Sequence, residues 1–397
     1  MARLEAGPYP VRAGWIGIQD VELFLIAALT PILSDIHMKI NIRISLVLGG
    51  AVSVFALYLA FRNVPFDDLL VYLASINYFW ILPSVLVILI SFALRAYRWK
   101  IILESVGKIS FWGAFHPLMI GFMINCILPG RVGEVARPAV LQKKENIPFS
   151  TGLATVAAER FFDVSILIVL FAVMLATVQI DPDLDIVFGG YHLNRATLVA
   201  AGEGTFKLLL ILIVGIALVG FGKTRNIING LITRIPSIFF FAGPEFKKRI
   251  LKRACEPMVR FVDNFASGFT LVKYPTKICA CIGLSFFIWG LAAFSYYLMA
   301  LGCPGIELSF VEITAVMIII CFFIALPSVP GYWGIWEAGG VFALLLFGVS
   351  SKDAAGYTLA NHAIQIFPVI IAGIISAMVT SVNILQVSYE KRRKEYS

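Results

Sequence analysis

The chain has 397 residues, of which 59% are hydrophobic and only 14% charged, and its mean hydropathy is +0.89. Soluble chains carry about 25% charged residues, so an ordinary soluble domain is excluded and a polytopic helical membrane protein is indicated. The formal net charge of +8 comes from Lys and Arg placed between apolar runs, so it reports topology and anionic lipid headgroups rather than nucleic acid.

Residues 1–37 sit poorly with the rest. The run from Trp15 to Leu33 is broken by Asp20, Glu22 and Pro31, and nothing basic precedes a clean apolar core, so it is neither a good signal peptide nor a good span. Met38-Lys39-Ile40-Asn41-Ile42-Arg43 reads as a natural start, which makes 1–37 a non-native or disordered extension ahead of a membrane domain at 38–388.

Hydropathy and length divide the remainder of the chain. The first span runs from Ile44 to Phe61. Arg62 to Asn77 comes next, where Pro65 and the pair Asp67, Asp68 open a short amphipathic helix. A second span, Phe79 to Trp99, ends in Arg95, Arg98 and Lys100, and an apolar run covers 111–128. The span from about Thr151 to Val178 carries Glu159-Arg160-Phe161-Phe162-Asp163 on its early turns. An acidic loop at 181–205 precedes a span from Phe206 to Phe221.

Residues 222–277 hold 11 Lys and Arg against 3 Asp and Glu. They read as a cytoplasmic surface facing lipid, with helices at Ile235 to Ala242 and Phe261 to Phe269. Spans at 278–301 and 357–385 then flank an apolar segment at 309–326 and a short apolar helix at 335–348. The tail, 389–397, is basic. Six cysteines (Cys126, Cys255, Cys279, Cys281, Cys303, Cys321) show no metal-ligand spacing and read as small buried hydrophobes, so no metal and no cofactor is expected.

The stretch that organises the chain is Ile127-Leu128-Pro129-Gly130-Arg131-Val132-Gly133-Glu134-Val135-Ala136-Arg137-Pro138. It puts two arginines and a glutamate where hydrocarbon is expected. A charge at the centre of a bilayer-spanning helix costs about 2.5–3.5 kcal/mol, so such residues usually line a cavity or a path. Pro330-Gly331-Tyr332-Trp333-Gly334-Ile335-Trp336-Glu337 repeats the Pro-Gly-x-x-Gly skeleton and again places a glutamate just beyond it. The span at 79 corresponds to 278, the run at 111 to about 310, Pro129 to Pro330, and the Glu159-Arg160 helix to the one carrying Asn361 and His362. These offsets all lie between 199 and 202 residues, which points to internal duplication, with units at about 79–178 and 278–385.

Charge sets the expected orientation. If the runs at 111 and 309 are arms of re-entrant hairpins, the groups Arg95/Arg98/Lys100 and Arg137/Lys143/Lys144 fall on one side with 222–277 and the tail, as the positive-inside rule requires. The expected fold is therefore all-α, with six full spans and two re-entrant hairpins in inverted repeats, and both termini cytoplasmic. That arrangement goes with binding at the midplane and alternating access, and Pro-Gly backbone at such depth is tolerated only against protein or a watery cavity.

Three motifs carry a resemblance: Asn125-x-x-Leu128-Pro129-Gly130-Arg131-x-Gly133-Glu134-x-x-Arg137, then Glu159-Arg160-x-x-Asp163, then Pro327-x-x-Pro330-Gly331-x-x-Gly334-x-x-Glu337-Ala338. Together they resemble the flippase-like membrane domain of lysylphosphatidylglycerol synthetases and its stand-alone relatives, over roughly 40–388. The resemblance implies a lipid-translocating module in the cytoplasmic membrane of a prokaryote. Some members move aminoacylated phosphatidylglycerol, while others are associated with polyprenyl-linked sugars or hopanoids. This chain departs from the synthetases in lacking their soluble aminoacyl transferase domain. It also has Tyr332 and Trp333 where small residues are common.

The residues themselves indicate the same chemistry. A translocated headgroup needs a polar path, and the planar fork of arginine binds phosphate oxygens at two points. Arg131 and Arg137, with Arg160 on the next helix, are the candidate phosphate contacts. Glu134 is three residues before Arg137 and is expected to pair with it. Glu159 and Asp163 share one helical face and require an arginine or a substrate amine between them. In the second unit Glu337 is the counterpart carboxylate, with Asn361, His362 and Gln365 facing it. The competing reading makes these charges a structural network that binds nothing.

The function expected is translocation of a phosphate-bearing lipid, with membrane lipids as partners and either a homodimer or a lipid-modifying enzyme as a further partner. The alternatives are an enzyme acting on a lipid phosphate or lipid-linked sugar, or a scaffold for such an enzyme. No nucleotide-binding glycine loop, metal cluster or Ser/His/Asp set is present in a sensible order, so the expectation is that the protein is not an enzyme.

Overall fold

The structure, a computed structural model, describes residues 50–62, 64–128, 131–177, 186–188, 191–193, scattered positions between 199 and 214, 222–238, 251–326 and 329–380. All of these belong to one unit spanning 45–382. The extension 1–37, the tail 389–397, Pro129, Gly130, Pro327 and most of the expected span at 206–221 lie outside the described residues.

Helix α1 covers Gly50–Phe61. Helix α2, Phe66–Ser75, starts directly after Pro65 with Asp67 and Asp68 in its first turn, where carboxylates favour the positive end of the helix dipole. The first repeat unit is then α3 (Ile81–Leu103), α4 (Phe111–Ile127), α5 (Gly133–Glu145) and α6 (Phe149–Thr177). A two-stranded antiparallel ribbon, β1 (Ile186–Phe188) with β2 (Tyr191–Leu193), sits in the acidic stretch, so the expected loop there contains strand pairing. Helices α7 (Gly222–Ile238) and α8 (Glu256–Ser267) come next. They begin earlier than the expected surface helices, because their apolar residues recur at helical spacing (Ile227, Ile228, Leu231, Ile232; Met258, Val259, Val262, Phe265), a pattern that a search for continuous apolar runs passes over. The second unit is α9 (Pro275–Leu301), α10 (Phe310–Phe323), α11 (Ile335–Leu345) and α12 (Ser351–Thr380).

Among the described residues three helices are long and apolar enough to cross a membrane: Tyr78–Leu103, Pro275–Leu301 and Ser351–Thr380. Large apolar side chains stand exposed on their outer faces, such as Leu82, Phe287 and Ile371, which suits hydrocarbon as the solvent. Helix α6 has 29 residues but breaks its apolar character with Glu159, Arg160 and Asp163.

The two expected units each contain four helices in the same order, and α4 and α10 both start at a serine cap. Ser110 Oγ accepts the Gly113 N–H (2.9 Å) at the start of α4, and Ser309 caps α10 by accepting from Glu312 N–H (3.3 Å). In both units a short apolar helix turns back on the next one. In the first, Gly113 lies against Glu145 at the open end and Gly121 against Gly133 near the turn, so the arms of α4 and α5 are antiparallel. A Cβ added to Gly133 would lie 1.9 Å from the Gly121 carbonyl oxygen, which is why no side chain fits at this crossing. Asn125 Oδ1 accepts the Gly133 N–H (2.7 Å) and pins the start of α5 there.

Helices α3 and α9, equivalent in the repeat, pack side by side along most of their length. Ser84 bonds Ser295 (2.9 Å between hydroxyls), Ser91 Oγ donates to the Ile288 carbonyl (3.3 Å), and Arg98 donates to Ser285 Oγ (2.6 Å). Numbers climb on one helix as they fall on the other, so the pair runs antiparallel. Small residues and hydroxyls at such a seam replace the hydrophobic drive that is missing between helices in lipid.

Candidate functional site

The centre of the molecule is charged. Arg98 and Arg137 are among the largest fully buried side chains, and Glu159 is 0% exposed. Helix α6 places Glu159 and Asp163 one turn apart, and arginines from three helices converge on them. Arg98 lies 2.8 Å from Asp163 and 3.6 Å from Glu159, Arg137 lies 2.6 Å from Glu159, and Arg95 lies 3.8 Å from Asp163. Arg160 reaches both acids, at 3.0 and 3.4 Å, and Glu134 at 3.9 Å. Arginine therefore does lie between the paired carboxylates, and it comes from α3 and from α6 itself. Trp289 Nε1 donates to Asp163 (3.2 Å), and the Arg137 guanidinium sits 4.1 Å from the centre of the Trp99 ring, a desolvated cation on an aromatic face.

Two expectations from the sequence are corrected by this geometry. Arg95 and Arg98 group with Lys100 as a basic flank in the sequence, yet both are buried partners of α6. They close an apolar run, and hydropathy alone cannot tell a helix that ends in water from one that ends in a charged core. The spacing of Glu134 and Arg137 predicts a pair. Instead Arg137 turns inward to Glu159 and Glu134 faces Arg160, because an acid in the core outcompetes a neighbour one turn away on a half-exposed surface.

A cavity of about 220 Å³ opens against this cluster. Arg95, Arg131, Arg137, Arg160 and Glu134 supply its charged wall, and Ser91, Asn125, Tyr296, Gln365 and the rings of Trp289, Tyr332 and Trp336 supply much of the remainder. Described residues flanking both Pro-Gly turns line it: Cys126 and Arg131 in the first, Ile324 and Tyr332 in the second. Arg131, which takes a positive φ of 55°, donates to the Ile324 carbonyl at the end of α10 (2.8 Å), and a Cβ on Gly331 would lie 3.2 Å from the Cys126 carbonyl oxygen. Gly331 (φ 68°) and Gly334 (φ 88°) hold positive-φ conformations that form the second turn, where glycine carries no steric penalty.

The second unit's polar residues do something different from the first's. Glu337 and His362 are 0% exposed and do not line the cavity. Glu337 accepts the Gly334 N–H (2.6 Å) and meets His362 Nδ1 (2.5 Å), while His362 Nε2 meets the Gly331 carbonyl (2.9 Å). The pair ties the 330–334 turn to α11 and α12. Trp336 stacks on the imidazole (4.4 Å between centroids, 7° between planes). Asn361 is buried next to this brace, its side chain 3.5 Å from Gln365, and only Gln365 of that group reaches the cavity wall. Among the expected site residues, Arg131, Glu134, Arg137 and Arg160 line the cavity, Glu159 and Asp163 stand behind it, and Glu337, Asn361 and His362 stand apart. The sequence missed Arg95, Trp289 and Tyr296, whose relation to the site depends on the α3–α9 pairing. No group of three or more His, Cys, Asp or Glu suited to a metal ion occurs among the described residues.

Residues 46–373 match the family described as lysylphosphatidylglycerol synthase TM region. The chain belongs to that family. Membership places it among integral membrane proteins with a lipid-related role. It is also 25% identical over 395 residues to the glycosyltransferase AglD of Haloferax volcanii, a match covering 91% of this chain and 59% of AglD. It is 23% identical over 274 residues to a UPF0104 membrane protein of Methanocaldococcus jannaschii, covering 69% of this chain and 99% of that protein. The chain thus spans about three-fifths of AglD and nearly all of the second relative.

These relatives overturn one expectation, that the protein is not an enzyme. The family is named for a synthase, and AglD is named a glycosyltransferase. The expectation rested on motifs absent from this chain, and a missing nucleotide loop or triad says nothing against chemistry carried out by buried arginines and carboxylates.

Proposed function

We propose that the chain takes up a phosphate-bearing lipid in the arginine-lined cavity and carries its headgroup between leaflets. The observation that carries this reading is a cavity wall with four arginines and one carboxylate in a chain that is 59% hydrophobic. Guanidinium forks suit phosphate oxygens, and Phe92, Phe122, Ile366 and Val369 on the same cavity suit a lipid chain.

The proposed topology has six spans and two re-entrant hairpins related by inverted repetition, with both termini and 222–277 on the cytoplasmic side. Two observations support it. Equivalent helices α3 and α9 are antiparallel. Helices α4 and α10, with 17 and 14 residues, reach only about 25 and 21 Å at 1.5 Å per residue, short of a hydrocarbon core of about 30 Å. Alternating access then comes from rocking one unit against the other around the cavity.

A second reading is favoured by the name of AglD: the same site holds a lipid phosphate as the acceptor in a sugar-transfer reaction, with this chain as the membrane part of the enzyme.

The test is translocation of headgroup-labelled lipids in proteoliposomes by the wild type, Arg131→Gln and Glu134→Gln, together with sugar transfer to the same lipids in the presence of activated sugars. Movement of one phosphate-lipid class, slowed in Arg131→Gln at unchanged melting temperature, supports transport. Folded protein that moves no lipid refutes it, and product formation without movement establishes the second reading.

A further inference from the structure

Resting on that reading of the cavity as a lipid-phosphate site, we infer that its ligand is a dianionic headgroup, a lipid phosphomonoester or diphosphate, rather than a phosphodiester, zwitterionic or aminoacylated lipid. The inference comes from the charge balance of the cluster. Five guanidinium groups, Arg95, Arg98, Arg131, Arg137 and Arg160, meet three carboxylates, Glu134, Glu159 and Asp163, among the described residues. Two positive charges are left over.

Their position is as informative as their number. Glu159 and Asp163 are buried behind the cavity and are matched in charge by Arg137 and Arg98, and Glu134 by Arg160. The surplus therefore lies on the cavity wall, at Arg131 and at Arg95, whose acid partner Asp163, 3.8 Å away, is already matched by Arg98. Arg131 donates to a carbonyl and has no carboxylate partner among the described residues, which leaves its other donors without an acceptor among them. The Nε atoms of Arg137 and Arg160 are buried and lack a hydrogen-bond partner. Buried charge is tolerated when it is matched, and an occupant of charge close to −2 completes the match.

A phosphomonoester carries about −1.5 to −2 at neutral pH, because its second ionisation falls near 6. A diester carries a single charge, and an amine-bearing headgroup adds a cation. Glu134 is the only carboxylate on the cavity wall among the described residues, and it already faces Arg160. An ammonium group would have to compete with Arg160 for that carboxylate, beside three further arginines on the same wall.

The experiment measures binding rather than transport, so that it fails independently of the translocation reading. Full-length protein in detergent is titrated with lipids of matched chain length: phosphatidic acid, phosphatidylglycerol, phosphatidylethanolamine and lysyl-phosphatidylglycerol, with a prenyl monophosphate and inorganic phosphate as further arms. Affinity is expected to follow negative charge, with the monoesters binding at least about tenfold more tightly than the diester, a modest demand for one further charge in a partly desolvated site.

Arg131→Gln is expected to narrow that preference, and Glu134→Gln, which adds one net positive charge, to widen it. A gain of this kind is not produced by damaged folding. Equal binding of lysyl-phosphatidylglycerol and phosphatidic acid overturns the inference, as does an unchanged preference in both variants. Inorganic phosphate binding as tightly as the prenyl phosphate overturns the lipid assignment. If the charge order holds and no lipid moves in proteoliposomes, the dianionic site stands and transport falls. If phosphatidylethanolamine or lysyl-phosphatidylglycerol is the lipid moved, transport stands and this inference falls.

Discussion

Replacing Asp163 by Asn removes one charge and almost no volume, so it isolates the electrostatics of the cluster. The carboxylate is 3% exposed and has three guanidinium groups within 4 Å: Arg98 at 2.8 Å, Arg160 at 3.4 Å and Arg95 at 3.8 Å. At an effective dielectric constant of about 20, one pair at such distances attracts by about 4–6 kcal/mol before the cost of desolvation. Removing one partner of a buried pair typically costs about 3–5 kcal/mol net, because the other charge stays buried and unmatched. Asp163→Asn is therefore expected to destabilise by about 3–5 kcal/mol, and Arg98→Met by a similar amount. The double variant should lose distinctly less than the two added together, since each change removes the group the other orphans. Equilibrium unfolding in mixed micelles with increasing denaturing detergent provides the measurement. A loss below about 1 kcal/mol for Asp163→Asn, the range of exposed pairs, or strict additivity in the cycle, would mean the cluster is wet and weakly coupled.

Glu134→Gln supplies the contrast: its side chain is 29% exposed and 3.9 Å from Arg160, so unfolding should register about 0–1 kcal/mol. Gly133→Ala should cost about 1–3 kcal/mol through overpacking against the Gly121 carbonyl, whereas Gly290→Ala in α9, with nothing within 4 Å of the added carbon, should be neutral or stabilising in the same assay. Glu337→Gln and His362→Gln are expected to lower the melting temperature and to weaken lipid affinity less than Arg131→Gln does, because neither side chain lines the cavity and both act through the turn that carries Tyr332 to its wall. Ser84→Cys with Ser295→Cys, in a background without native cysteines, should cross-link on mild oxidation, since the native hydroxyls are 2.9 Å apart. Failure of that cross-link, with formation of one between positions 84 and 285, would reverse the α3–α9 polarity.

How much the sequence reveals depends on how local each signal is. Arg131, Glu134, Arg137, Glu159 and Asp163 stand out because charge inside an apolar run is conspicuous wherever it occurs. The expectation of a repeat is equally local in origin, since two Pro-Gly turns and two apolar helices recur at offsets of 199–202 residues. Pairing is not legible. Arg98 and Asp163 are 65 residues apart, and no periodicity links the end of α3 to the early turns of α6, so the two buried arginines of α3 pass for a cytoplasmic flank. The reverse error concerns Glu337 and His362. Symmetry of the repeat suggests a matching site, but the second unit uses its carboxylate to hold a turn. A recurring sequence skeleton need not bring recurring chemistry with it.

The separation between Arg98 and Asp163 also bears on how the protein is made. Helix α3 is synthesised well before α6, with α4 and α5 still to come, and during that interval Arg95 and Arg98 have no counter-ions. At about 2.5–3.5 kcal/mol for each unmatched charge at mid-membrane, burying these turns in hydrocarbon before α6 is made is unfavourable. The ion cluster thus ties the final environment of α3 to a helix made later in the chain.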